Sequence, residues 1–329
     1  MNTRKRFHAV MNFQPFDRLP LLEWAGWWDK TIDRWHGEGL PVDLTDRYAI
    51  CKHFGLDIYK QDWFPVRGPE CPQPAAHGSG IIESVADYER IRPYLYPSEP
   101  VDAARWRARA AEQEQGDVVL WFTVDGFFWF ARRLLGIERH LYAFYDQPEL
   151  MHRINSDLSD WILLVIEQVC SICTPDFMTF GEDMSYNNGP MLSKDCFDEF
   201  MRPYYDRIIP ALRDKGVIPI IDSDGDIAIP AHWFAEAGLE GILPLERQAR
   251  WPGLVDRLPK RRFNRNCTFS RNPKPVSGLM SSIRNRHEPR PASLSRLARV
   301  RPGRWGRRVG PGWRPRLFLD PVRFSRAIL

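Results

Sequence analysis

The chain has 329 residues, 43% of them hydrophobic, with 13 Trp and 19 Phe, enough for one large domain or two ordinary ones. No apolar run reaches the ~20 residues of a membrane span, the N-terminal MNTRKRFHAV lacks the apolar core of an export signal, and six unpatterned cysteines suit a reducing cytoplasm better than a disulfide framework. The formal charge of +4 averages two unlike pieces: residues 251–329 hold 20 Lys and Arg against 3 Asp and Glu, a net +17, while residues 1–250 carry −13.

Helix and strand signals alternate from the start. Residues 3–13 predict a short helix and residues 19–24, LPLLEW, a buried strand. Aromatic amphipathic helices follow over 29–36 and 44–54, then a weaker strand over 56–63. SVADYE from Ser84 has the pattern of a capped helix start, with Pro93 near its end. A polar helix over 103–115 stops at Gly116, and 118–124 is a continuous apolar run, as in a parallel strand covered on both faces. A long helical region spans 141–173, with Leu150, Ile154, Leu158, Trp161 and Val165 at helical spacing. After a strand over 177–183, Ser193 caps one helix carrying Phe197, Phe200, Tyr204, Ile208 and Leu212 and ending at Gly216. Residues 217–222 form a strand, 230–237 a helix, and 241–246 a sixth strand. Strands separated by helices predict an α/β fold with a parallel sheet, doubly wound or closed as a barrel. No glycine-rich phosphate turn follows the first strand, which weighs against a dinucleotide site.

Acidic residues gather just past the strands' C-terminal ends: Asp125, then Glu182 and Asp183, then Asp222 and Asp224, then Glu246. Carboxylates brought together there can bind a cation, act as acid or base, or accept from ammonium or pyrrole N–H groups. A single Asp in such a place serves equally well as the N-cap of the next helix. Capping does not explain the Glu residues as well, so Glu182, Asp222 and Glu246 together favour a site. The candidate chemistry has Asp222, Asp224 and Glu246 holding a cation or the substrate, with Glu182 as acid or base. Asp125 and Asp183 are candidate substrate contacts. Tyr186, Asn187 and Asn188 can donate to a substrate, although a turn at Asn188-Gly-Pro explains part of that run. Trp24, Trp27 and Trp28 offer either a stacking platform for a planar ligand or ordinary packing.

Four segments carry a resemblance: NTRKRF from Asn2 with DRLP from Asp17, FGEDMSYNNGP from Phe180, MLSKDCFDEFMRPY from Met191, and IDSDGD from Ile221. In this order they resemble the uroporphyrinogen decarboxylase superfamily, over about residues 2–249. The resemblance implies a (β/α)8 TIM barrel with its site at the C-terminal mouth. It implies one of two chemistries: cofactor-free decarboxylation of uroporphyrinogen's acetate arms, or corrinoid-linked methyl transfer in which zinc activates a thiol. The implied partners are a small-molecule substrate and, for methyl transfer, a corrinoid protein. The chain departs from both branches. Trp24, Trp27 and Trp28 stand where the decarboxylases carry the arginine-rich RQAGRYLPEY loop, removing the groups expected to hold a polycarboxylate. The methyltransferases' His-x-Cys is here Asp222-Ser223-Asp224, hard oxygen ligands that suit another divalent metal, or none, rather than thiolate-activating zinc.

Cys170 and Cys173 have metal-pair spacing but fall in the long helix without a second pair, so they are read as core cysteines. His140, His152 and His232 lie on predicted helices and are read as surface or structural residues. Beyond residue 249 the barrel pattern stops. Arg, Pro, Gly and Ser make up 41 of the last 79 residues, a composition that reads as disorder. The stretch 250–329 is a basic arm or, the favoured expectation, the product of a shifted reading frame replacing two βα units and impairing this copy. The expected function is accordingly a uroporphyrinogen decarboxylase-like enzyme; the alternatives are a non-enzymatic ligand-binding barrel and nucleic-acid binding through the basic arm.

Overall fold

The computed structural model describes residues 1–245, so Glu246 and the stretch 250–329, with its expected disorder or frame shift, lie outside the described residues. Three short helices open the chain: α1 (Thr3–Met11), α2 (Asp29–Gly37) and α3 (Arg47–His53). Then come β1 (Ile58–Phe64), α4 (Val85–Ile91) with a 3-10 turn at Arg92–Tyr94, α5 (Ala103–Glu114) and β2 (Val118–Asp125). Helices α6 (Phe127–Leu135), α7 (Ile137–Asp146) and α8 (Pro148–Cys170) lead to β3 (Phe177–Gly181) and a small hairpin, β4 (Ser185–Tyr186) and β5 (Gly189–Pro190). The described residues end with α9 (Lys194–Phe200), α10 (Arg202–Asp214), β6 (Ile218–Asp222), α11 (Pro230–Glu236) and β7 (Gly241–Leu243). Among them no helix is long and apolar enough to cross a membrane.

Side-chain caps account for five of the eleven α-helix starts among the described residues. The side chains of Asn2, Asp46, Ser84, Asp102 and Ser193 each accept the backbone N–H three residues on, a contact that contributes about 1 kcal/mol per helix. Three expectations are corrected. Residues 19–24 form no strand: Pro20 has no N–H, Leu21 N–H goes to the Asp57 carboxylate (2.8 Å), and Ala25 N–H goes to Glu23 Oε1 (3.2 Å). Side chains thus take the donors a ladder would use. The helical region expected over 141–173 starts earlier, at Ile137, and divides where Pro148 begins α8; α6, preceding it, is an additional helix. The helix after Ser193 is likewise two, because Pro203 lacks the N–H that would continue α9 into α10.

Five strands form one parallel sheet in the order β1-β2-β3-β6-β7. One face, with Phe122, Val124, Phe180 and Ile221, packs in a single cluster with apolar residues of α6, α8, α10 and α11. The opposite face changes character along the strands. Near the N-terminal ends Tyr59, Val119, Trp121 and Phe177 pack on Phe7 and Met11 of α1, with Phe177 stacked between Phe7 (5.3 Å) and Trp121 (4.7 Å). One layer on, Gln61 donates to Thr123 (2.7 Å), whose hydroxyl meets that of Thr179 (2.6 Å). At the C-terminal ends, Asp125, Gly181 and Asp222 share one row of the register.

The opening motif that carries part of the family resemblance works at the other end of the sheet. Asp57, just before β1, accepts from Arg6 (2.7 Å), Arg18 (2.6 Å) and Thr3 (3.2 Å). Asp176, just before β3, accepts from Arg4 (2.7 Å), His8 (2.6 Å), Gln113 (2.8 Å) and Leu120 N–H (2.9 Å). Arg4, Arg6 and His8 therefore anchor α1, and Arg18 the segment after it, to the strand starts, a structural task.

Candidate functional site at the strand C-termini

The register sets the site. In parallel neighbours, paired residues share a face, so the pairs Asp125↔Gly181 and Gly181↔Asp222 place two carboxyls on one face with a side-chain-free position between them. The Trp63 indole fills part of that gap; a Cβ on Gly181 would lie 3.2 Å from it. Trp63 is 46% exposed and donates its N–H to Asp125 Oδ1 at 3.3 Å. Arg133 of α6 reaches back to the other Asp125 oxygen at 2.5 Å. Burial pushes the Asp125 carboxyl up, against the pull of Arg133, Trp63 and the nearby Arg67.

Asp222 is buried, 7% exposed, and among the described residues its carboxyl receives no hydrogen bond. Burial, followed by the proximity of Asp183 and Asp224, raises it well above the ordinary carboxylate range. The loops beyond β3 and β6 are pinned to each other. Glu182 N–H donates to Asp222 O (2.8 Å), Met184 N–H to Ser223 Oγ (3.3 Å), and Asp224 N–H to Asp183 Oδ1 (3.2 Å). Asp183 takes a left-handed φ of 40°, a conformation Asp tolerates better than most residues. Asp226 N–H reaches Tyr186 O (2.9 Å).

Of the residues singled out in the sequence, Asp183, Asp222 and Asp224 lie near one another, and Asp125 shares the row of Asp222 from two strands away. Glu182 is beside them but faces elsewhere, and the role of acid or base is corrected on geometry. Its carboxylate is fully buried and accepts the N–H groups of Phe127 (2.8 Å), Phe128 (2.7 Å) and Trp129 (3.4 Å) and the hydroxyl of Tyr205. Burial pushes it up to about 7 in spite of those donors. Tyr186, Asn187 and Asn188 are exposed on the β4–β5 hairpin. The tryptophan platform is also corrected. Trp27 packs with Cys51, Ile58 and Val118 at the strands' N-terminal ends and lies edge-on to Trp35 and Phe54. Trp24 packs on the α1-covered face, and Trp28 is 54% exposed beside Lys30. Among the described residues no ring contact joins the three. Glu246 lies outside the described residues.

Among the described residues no three Asp, Glu, His or Cys side chains converge as a cation would require; Glu246, expected beside Asp222 and Asp224, lies outside them. Cys173 lies beyond the end of α8 rather than in it, and both Cys170 and Cys173 are half-buried, with burial raising each thiol to about 11. The residues missed in the sequence are Trp63, Arg67 and Arg133. The Tyr59, Gln61, Trp63 alternation of β1 was the available signal for the first. Nothing local marked Arg67, and Arg133 was hidden because the helix carrying it was not expected.

No family model matches the chain, and no curated protein matches it. Among solved structures it is similar to a methyltransferase from Methanosarcina mazei, with a TM-score of 0.51 over 74% of this chain and 76% of that one, at 12% identity. The likeness is one of fold.

Proposed function

We propose that the described sheet belongs to a (β/α)8 barrel of the uroporphyrinogen decarboxylase type, and that the protein is an enzyme acting on a small molecule seated over the Asp125–Gly181–Asp222 row. The observation that carries this reading is the strand-end row itself: the Asp125 and Asp222 carboxyls stand on one face on either side of Gly181, with the exposed Trp63 indole against the glycine. The methyltransferase of similar fold supports the same reading.

Burial, followed by the proximity of Asp183 and Asp224, raises Asp222 well above the ordinary carboxylate range, the direction a general acid requires. A proton delivered from it serves either chemistry the family resemblance implies. In decarboxylation it goes to the carbon that loses CO2; in methyl transfer it goes to the group the methyl leaves, a corrinoid protein being the methyl acceptor. Asp125, fixed by Arg133 and Trp63, positions the substrate from the opposite side of the gap. Trp63 supplies an apolar wall.

The test uses the full chain with two probes, uroporphyrinogen and hydroxocobalamin, binding read by Trp fluorescence quenching and decarboxylation by product mass. Quenching is expected in the wild type and not in Trp63→Phe. Asp222→Asn is expected to lower any turnover by about 10²- to 10⁴-fold while binding persists. Turnover unchanged in Asp222→Asn would overturn the role of Asp222. Quenching without turnover in the wild type would replace the enzyme by a ligand carrier.

A further inference from the structure

Helix α6 lacks a cap of its own. The residue before it is Gly126, and the place of the missing side chain is filled from the neighbouring strand: a Cβ on Gly126 would lie 2.1 Å from Glu182 Cδ. The Glu182 oxygens take the N–H groups of Phe127, Phe128 and Trp129, the first turn of α6. A carboxylate is favoured there by the unpaired N–H groups and by the helix dipole. Tyr205 of α10 donates to the same carboxylate, and Gly126 N–H is held by Gly181 O at 2.7 Å.

We infer that Glu182 is a positioning residue for the strand-end site, acting through α6 and Arg133 on Asp125 and Trp63. The contacts close a loop. Asp125 ends β2, Gly126 follows it, α6 begins, and Arg133 returns to the Asp125 carboxylate at 2.5 Å. Asp125 in turn accepts from Trp63 at 3.3 Å. A local Ser or Asp cap would stabilise α6 equally well but would fix the helix only to itself. A cap borrowed from the end of β3 fixes the helix, and so Arg133, relative to the strand that adjoins both Asp125 and Asp222. The inference rests on the reading of this face as the ligand site. Its test is made without ligand, so its failure and the failure of that reading are distinguishable.

The experiment follows the Trp63 indole N–H by ¹H–¹⁵N NMR in the full chain, the resonance being assigned by its loss in Trp63→Phe. In Glu182→Gln, one acceptor oxygen replaces two and an amide NH₂ faces helix N–H donors. The Trp63 indole resonance is expected to move and its exchange with water to rise several-fold. Arg133→Met, which cuts the link directly, is expected to move it in the same direction. Tyr205→Phe removes one donor, leaves the three backbone contacts, and is expected to produce a smaller shift in that direction; it decides the matter if Glu182→Gln does not fold. An unmoved Trp63 resonance in folded Glu182→Gln, or in Tyr205→Phe where Glu182→Gln does not fold, would overturn the inference. An unmoved resonance in Arg133→Met would overturn it at the Asp125 link.

Discussion

His140 is a place where mild acid should act on the fold. It sits in α7, fully buried, with its ring 4.5 Å from that of Phe128 and 5.0 Å from that of Phe144. Neither ring nitrogen has a hydrogen-bond partner among the described residues. Burial, and secondarily the charge of Arg132, pushes the imidazole from 6.5 down to about 3. The folded state therefore resists protonation that the unfolded chain accepts. Its contribution to stability is complete above pH 6.5 and is lost as pH falls toward 3, by about 5 kcal/mol in all. Between pH 7.5 and 5 the loss is about 2 kcal/mol, a large share of a net stability of about 5–15 kcal/mol. His140→Leu, of similar volume, removes the titration and also the unpaired ring nitrogens, whose burial costs about 1–3 kcal/mol. Urea unfolding of both proteins at pH 7.5 and pH 5 provides the comparison. The variant should be the more stable at both, with the gap wider by about 2 kcal/mol at pH 5. Parallel pH dependence in the two proteins would refute the reasoning.

Two further outcomes are expected away from the site. Asp57→Ala strips the buried Arg6 guanidinium of one of its two carboxylates and leaves Leu21 N–H without its acceptor; a loss of about 3 kcal/mol by chemical denaturation is expected, and a loss below 1 kcal/mol would show that the cluster only decorates the strand starts. Cys170 and Cys173, with thiols raised to about 11, should alkylate with iodoacetamide at pH 7.5 far more slowly than a free cysteine, because the thiolate is the nucleophile. Labelling at the free-cysteine rate, followed by peptide mass spectrometry, would contradict that environment.

Local patterns in the sequence carried much of the fold. Ser84 and Ser193 sit where a cap is needed, and each was legible because the donor it accepts lies three residues away. The apolar run of β2 showed a strand buried on both faces. Helix α6 was hidden because its FFWF follows that run directly, and aromatic residues suit strands as well as helices. The strand expected over residues 19–24 failed for the converse reason: its apolar pattern was right, but Asp57, 36 residues from Leu21, takes the Leu21 N–H.

That Asp125, Asp183, Asp222 and Asp224 each stand at or just past a strand's end was legible in the sequence, because each closely follows its own apolar run; α6 and the absence of a strand over residues 19–24 were not. What each carboxyl does was decided by tertiary structure. Asp125 is tied to Arg133 and Trp63, Asp222 is left without a donor, and Glu182, one residue beyond the row, is spent on the first turn of α6. These differences arise from contacts between segments tens of residues apart. Strand register sets them, because it decides which face a side chain takes and which neighbour it meets.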